Sequence, residues 1–168
     1  MTFEIDPTMH PQIAPLGWMI GRWEGVGVVG YPDMESRNIG QELTISHDGR
    51  PFLEVSSRTW QLDESGGLEK PLAREVGFFR VLENGEIELL LAHPTGIVEM
   101  YAGEREKDRP VLNLRTDGVM RSPAAREYTA ASRMYGLVEG KLMWVMDMAA
   151  EGHPLTSHIS VQLSRVQG

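Results

Sequence analysis

From residue 21 onward, apolar and polar positions along the chain alternate with a period of two. Ile87, Leu89 and Leu91 fall on one parity against Glu86 and Glu88, and Leu142, Trp144, Met146 and Met148 form a second same-face row. Successive side chains of a strand point to opposite sides, so this alternation predicts half-buried strands. Turn signals interrupt it at roughly 8–12 residue intervals, the spacing of all-β barrels and sandwiches. Asp48-Gly49 and Asn84-Gly85 are strong hairpin signals, and Gly66-Gly67 and Glu139-Gly140 are weaker ones, because glycine reaches the positive φ that tight hairpins demand. The pattern predicts ten strands, near 21–31, 37–47, 51–62, 72–82, 86–92, 96–103, 110–117, 126–137, 141–149 and 155–166. No stretch of comparable length carries a helical period.

Residues 1–20 break the alternation. Pro7, Pro11 and Pro15 precede Leu16-Gly17-Trp18-Met19-Ile20, a run too short and too apolar to form an exposed helix. This segment is expected to cap one mouth of a barrel formed by 21–166, giving one domain over 1–168 without a long linker or internal repeat. Ten antiparallel strands closing on themselves make a barrel wider than the eight-stranded kind that barely holds one small ligand. A two-sheet sandwich satisfies the same spacing.

Composition narrows the chemistry. The 16 basic and 24 acidic residues give a net charge of −8 spread without long blocks, which argues against nucleic-acid or anionic-membrane partners. With no cysteine, disulfides, iron–sulfur clusters and thiolate ligands are excluded, and any metal must rest on histidine or oxygen. The start carries no basic and apolar leader pattern, and no apolar run approaches the ~20 residues of a membrane span. Cytoplasmic residence is the expectation.

The most informative local pattern is Gly21-Arg22-Trp23-Glu24-Gly25-Val26-Gly27. On a strand, Gly21, Trp23, Gly25 and Gly27 share one face, a large indole beside three positions without side chains. Glycine in a strand interior marks a bend or the close approach of another backbone. With Tyr31-Pro32 just after it, this G-x-W-x-G-x-G pattern resembles the nitrobindin family of haem-binding, lipocalin-like barrels. Three further segments are similar to that family in the same order: Pro71-Leu72-Ala73-Arg74-Glu75-Val76-Gly77-Phe78-Phe79-Arg80, Thr95-Gly96-Ile97-Val98-Glu99, and Pro154-Leu155-Thr156-Ser157-His158-Ile159-Ser160-Val161. The resemblance spans nearly the whole chain. It implies an all-β, single ten-stranded antiparallel up-and-down barrel, and it decides for the barrel over the sandwich.

The resemblance also implies residue roles. His158 matches the family histidine that ligates haem iron, so one haem b per chain is expected, with His158 as metal ligand and catalytic centre. Read from parity alone, His158 sits with Thr156, Ser160 and Gln162 on the polar face, opposite Ile159, Val161 and Leu163. Arg126 stands where the family has a lysine near the haem, keeping a cation for a propionate, with Lys141 a weaker substitute. Asp33 replaces a family threonine after Tyr-Pro, and Ala73 replaces a family histidine. If Asp33 reaches the lumen, its carboxylate opposes the propionates unless it is protonated or paired. Otherwise it is a turn residue. His10, His47, His93 and His153 read as solvated loop or terminal residues. Met146 and Met148 read as core, with a methionine sixth ligand disfavoured because it would close the iron to small ligands.

The function so implied is that of a ferric b-type haem protein that isomerises peroxynitrite to nitrate and reversibly binds nitric oxide. The alternative is a haem-free intracellular carrier of a fatty acid or other apolar small molecule, with Arg126 meeting the ligand carboxylate. A nitric oxide sensor would share the haem and differ in output. A homodimer is compatible with apolar residues on outward parity.

Overall fold

The structure, a computed structural model, describes residues 7–167. Positions 1–6 of the expected cap and Gly168 lie outside the described residues. Ten antiparallel strands form one closed ring: β1 (Gly21–Tyr31), β2 (Met34–Ser46), β3 (Phe52–Leu62), β4 (Leu68–Val81), β5 (Ile87–His93), β6 (Ile97–Arg105), β7 (Val111–Arg121), β8 (Tyr128–Val138), β9 (Lys141–Ala150) and β10 (Thr156–Gln167). Each strand pairs with its neighbours in sequence, and β1 closes the ring against β10. The barrel expectation holds, and a sandwich is excluded. Closure leaves no free sheet edge.

The hairpin glycines take the predicted conformation, with φ of 93° at Gly49, 85° at Gly66, 89° at Gly85 and 79° at Gly140. Inward parity is apolar over most of the wall, including Ile39, Leu43, Ile45, Phe79, Leu89, Leu114, Leu142, Val161 and Leu163, all buried.

A helical segment packs at the mouth where β1 begins. Pro11–Met19 forms a nine-residue 3₁₀ helix, packed inward rather than exposed. Its period of three places Ile13, Leu16 and Met19 on one side, and all three are fully buried in the barrel core. Burial of each contributes about 1.5–3 kcal/mol, which outweighs the poor 3₁₀ geometry. His10, expected in an unstructured start, caps this helix by accepting the Gln12 amide on Nδ1 at 3.1 Å. Trp23 closes the floor beneath, donating Nε1–H to the Met19 carbonyl at 2.9 Å. The Arg165 guanidinium lies 4.2 Å from the Trp23 ring centroid and donates to the carbonyls of Trp18 and Ile20.

The glycines of the opening motif serve closure. A Cβ built at Gly25 would stand 2.0 Å from the Gln162 carbonyl oxygen, and one at Gly27 would stand 2.2 Å from that of Ser160. The β10 backbone occupies the space a side chain would need, which is why the pairing that seals the ring runs through glycine.

Candidate cofactor site at the uncapped end

At the mouth opposite the cap, β1 ends and β10 begins. The pairing of β10 with β9 slips between Ser157 and Ile159: Ser157 opposes Asp147, whereas Ile159 opposes Met146. His158 is the extra residue of this β-bulge, and a bulged residue escapes strict alternation. The polar-face placement inferred from parity is therefore corrected. The imidazole turns in at the mouth, half-buried, and packs edge-on against Tyr31 with ring centroids 5.7 Å apart.

The protonation pattern of His158 follows from its partner. Nδ1 lies 2.9 Å from the Gly30 carbonyl oxygen, and a carbonyl only accepts, so Nδ1 carries the hydrogen. Burial holds the imidazole below its ordinary pKa; the Gly30 bond opposes this, and the charges of Arg126 and Arg133 add to it. The ring is thus neutral near pH 7 with its lone pair on Nε2. Among the described residues Nε2 has no protein partner, and no enclosed side-chain nitrogen or oxygen lacks one, so Nε2 remains accessible. Tyr31 fixes the neighbourhood: its hydroxyl donates to the Met148 carbonyl at 2.7 Å and accepts the Ala150 amide at 2.9 Å. His153, expected in solvent, packs edge-on against Tyr31, with ring centroids 5.4 Å apart.

Asp33 and Arg126 meet at the rim of this mouth. Arg126 is not in a strand, as its segment suggested, but in the connection before β8. Its Nη2 lies 3.1 Å from Asp33 Oδ2 and its Nε lies 3.0 Å from Glu151 Oε1. Lys141 opens β9 at the capped end, beside Val138, far from this rim. Ala73 is an exposed residue of β4 opposite Thr59.

Below the rim lies a buried polar network that sequence reasoning missed. Arg133, 4 % exposed, holds Glu75 through two bonds of 3.1 and 2.8 Å and donates to the hydroxyls of Tyr101 and Tyr135, each at 3.0 Å. Glu99, 3 % exposed, accepts from His93 Nε2 at 2.9 Å, from the Tyr101 hydroxyl at 3.1 Å and from the Tyr128 hydroxyl. Burial pushes the Glu99 carboxyl up, but the His93 bond, the Arg133 charge and the Tyr128 bond outweigh it, leaving its pKa lowered. Burial raises the pKa values of Tyr101, Tyr128 and Tyr135, so all three phenols remain donors. Trp144 Nε1 donates to Gln41 Oε1 at 2.8 Å, and Gln41 donates to Thr59 at 3.0 Å. His93, expected to be solvated, is the last residue of β5 and belongs to this network.

A family model described as the THAP4-like, heme-binding beta-barrel domain matches residues 12–165. The chain belongs to that family. It is 44 % identical over 165 residues to a peroxynitrite isomerase of a Nocardioides species, covering 98 % of this chain and 99 % of that one. It is 46 % identical over 170 residues to a ferric nitrobindin-like protein of Kineococcus radiotolerans, covering 92 % and 93 % of the two chains. The crystal structure of Rv2717c from M. tuberculosis superposes with a TM-score of 0.85 at 32 % identity, covering 94 % of this chain and 98 % of that one.

The chemistry of the residues at the uncapped mouth fits a haem. A neutral, oriented imidazole with an accessible Nε2 is the donor that haem iron takes, and the Nδ1–H bond to Gly30 is the kind of support that fixes a ligating tautomer. The structure thus gathers His158, Arg126 and Asp33 at one mouth. It keeps Gly21, Trp23, Gly25 and Gly27 apart, in the closure seam and the opposite floor. Arg133 carried a readable signal: it lies on the inward parity of Ala131 and Tyr135, a charge in an apolar row.

Proposed function

We propose that the chain binds one b-type haem at the uncapped mouth through His158 Nε2, holds it as ferric iron, binds nitric oxide reversibly and isomerises peroxynitrite to nitrate. The observation that carries this reading is the Nδ1–H bond of His158 to Gly30, which leaves Nε2 free on a neutral ring. The reaction is the one named for the Nocardioides relative.

When bound, the haem would supply a Lewis-acidic iron able to take a small anion or diatomic. The chain supplies the rest. Gly30 and the Tyr31 ring orient the imidazole, and Tyr31 ties that wall to β9 through Met148 and Ala150. Arg126 is the cation at the rim for a propionate, held there by two carboxylates with which a propionate must compete.

The carrier alternative needs a buried cation free to meet a ligand carboxylate. Arg126 is at the rim and doubly paired, and Arg133, the buried cation among the described residues, is already held by Glu75. The haem reading is therefore favoured. Hemin titration of wild type and His158→Ala, followed in the Soret region, tests it. A saturable shift lost in the variant is expected; stoichiometric uptake with an unchanged spectrum by His158→Ala would overturn the ligand assignment.

A further inference from the structure

His93 and His158 occupy opposite walls of the same mouth. Around the ring, β5 and β10 are five strands apart in either direction, and His93 ends β5 at the end where β10 begins with Thr156, Ser157 and His158. His93 continues the inward parity of Ile87, Leu89 and Leu91, all buried, so its side chain belongs to the lumen wall across from His158. Its side chain is 18 % exposed, against 1 % for its partner Glu99.

The dyad is built to hold one tautomer. Glu99 is anionic, so the 2.9 Å contact to its Oε1 requires the hydrogen on His93 Nε2. In the neutral ring Nδ1 then carries the lone pair. Among the described residues no protein group bonds Nδ1, and no enclosed side-chain nitrogen lacks a partner, so Nδ1 is open to small molecules. The charged and titratable groups facing the pair are Tyr101 on β6, Tyr128 and Arg133 on β8 and Glu75 on β4. The tyrosines are neutral, and Arg133 is held mainly by Glu75. The Glu99 charge is thus available to stabilise an imidazolium at His93.

We propose that the Glu99–His93 dyad is the proton acceptor for weak-acid ligands entering the mouth, an inference that rests on the haem reading above. A weak acid HX such as hydrogen cyanide, hydrazoic acid or peroxynitrous acid binds ferric iron as its anion. The H–X bond breaks, its electron pair stays with X, and the proton passes to His93 Nδ1, where the Glu99 carboxylate offsets the new positive charge. Reversal returns the proton when X leaves. A positioned base of this kind accelerates proton transfer by about 100-fold or more.

Rapid mixing of hemin-loaded protein with cyanide across a range of pH tests the proposal. His93→Gln keeps a donor toward Glu99 and the strand end intact, while removing the basic nitrogen. Expected are an unchanged ferric Soret spectrum, about a 100-fold slower cyanide association near neutral pH, and loss of one ionisation from the pH profile. Equal rates and profiles in the two proteins would overturn the dyad's role and leave the haem reading standing. No saturable Soret shift in wild type would overturn both. In hemin-free protein, nitrogen NMR of the neutral His93 ring should show the Nε2–H tautomer; an Nδ1–H tautomer would overturn the proposal by itself.

Discussion

Arg126 and Asp33, 93 positions apart in sequence, share an ion pair at the rim, with Arg126 Nη2 3.1 Å from Asp33 Oδ2. Glu151 takes the other side of the guanidinium at 3.0 Å. Taken by itself, one cation between two carboxylates has a surplus negative charge, the wrong sign for an incoming propionate, although Arg121, donating to the Arg126 carbonyl, brings a second cation nearby. Asp33→Asn should therefore tighten hemin binding. Both side chains are well exposed, so the gain is modest, about two- to fivefold in Kd, and it should shrink as salt rises. Hemin titrations of the two proteins at low and high salt check this; weaker binding by the variant would mean that Asp33 positions Arg126 rather than competing for it.

Tyr31→Phe keeps the ring that packs on His158 and removes the hydroxyl that joins the Met148 carbonyl and the Ala150 amide. The loss leaves a buried donor and acceptor unsatisfied, costing about 1–3 kcal/mol. Thermal unfolding of the hemin-free protein should show this loss. Hemin affinity should fall less than in His158→Ala, because the Gly30 bond still fixes the tautomer.

Gly27→Ala attacks the seam that closes the barrel. The new methyl group would meet the Ser160 carbonyl oxygen at 2.2 Å and the Val161 Cα at 2.9 Å, and backbone yields less readily than a side chain. A destabilisation of about 2–3 kcal/mol is expected, read by denaturant unfolding. The same substitution at Gly85, where a Cβ meets nothing within 4 Å, is limited by its φ of 89° alone and should cost less.

The strands were legible because each writes its own alternation and its own turn, as at Ile87 to Leu91 and Asn84-Gly85. The candidate site was legible only in part. His158 was found by the resemblance, yet its facing depends on a bulge set by where Ser157 and Ile159 meet β9, and local parity cannot show a slip that exists only in the pairing. The partners Asp33 and Arg126 were both picked out, but nothing local joins residues 33 and 126 until the ring closes. Glu99 and Arg133 hid differently. Each is a charge on an apolar parity, a pattern that signals a satisfied buried group, but Glu75 reaches Arg133 from β4, and His93 and Tyr128 reach Glu99 from β5 and β8.

Glu99 gives the acid limb of stability its sign. Its carboxyl is below its ordinary value of 4.5 in the folded protein, because the His93 bond, the Arg133 charge and the Tyr128 bond together outweigh burial. A carboxyl with a depressed folded pKa binds fewer protons folded than unfolded. Its contribution is therefore complete above about pH 4.5 and is lost as pH falls through the folded value. Glu99→Gln cannot ionise, so below pH 4.5 its unfolding free energy should fall less steeply with acid than that of wild type. Above pH 5 the variant should be the less stable of the two, since Arg133 then loses its second anionic neighbour at 3.8 Å. Denaturant unfolding of both proteins between pH 3 and 7 measures the difference, and parallel curves across that range would show that Glu99 is not the group whose protonation sets the acid limb.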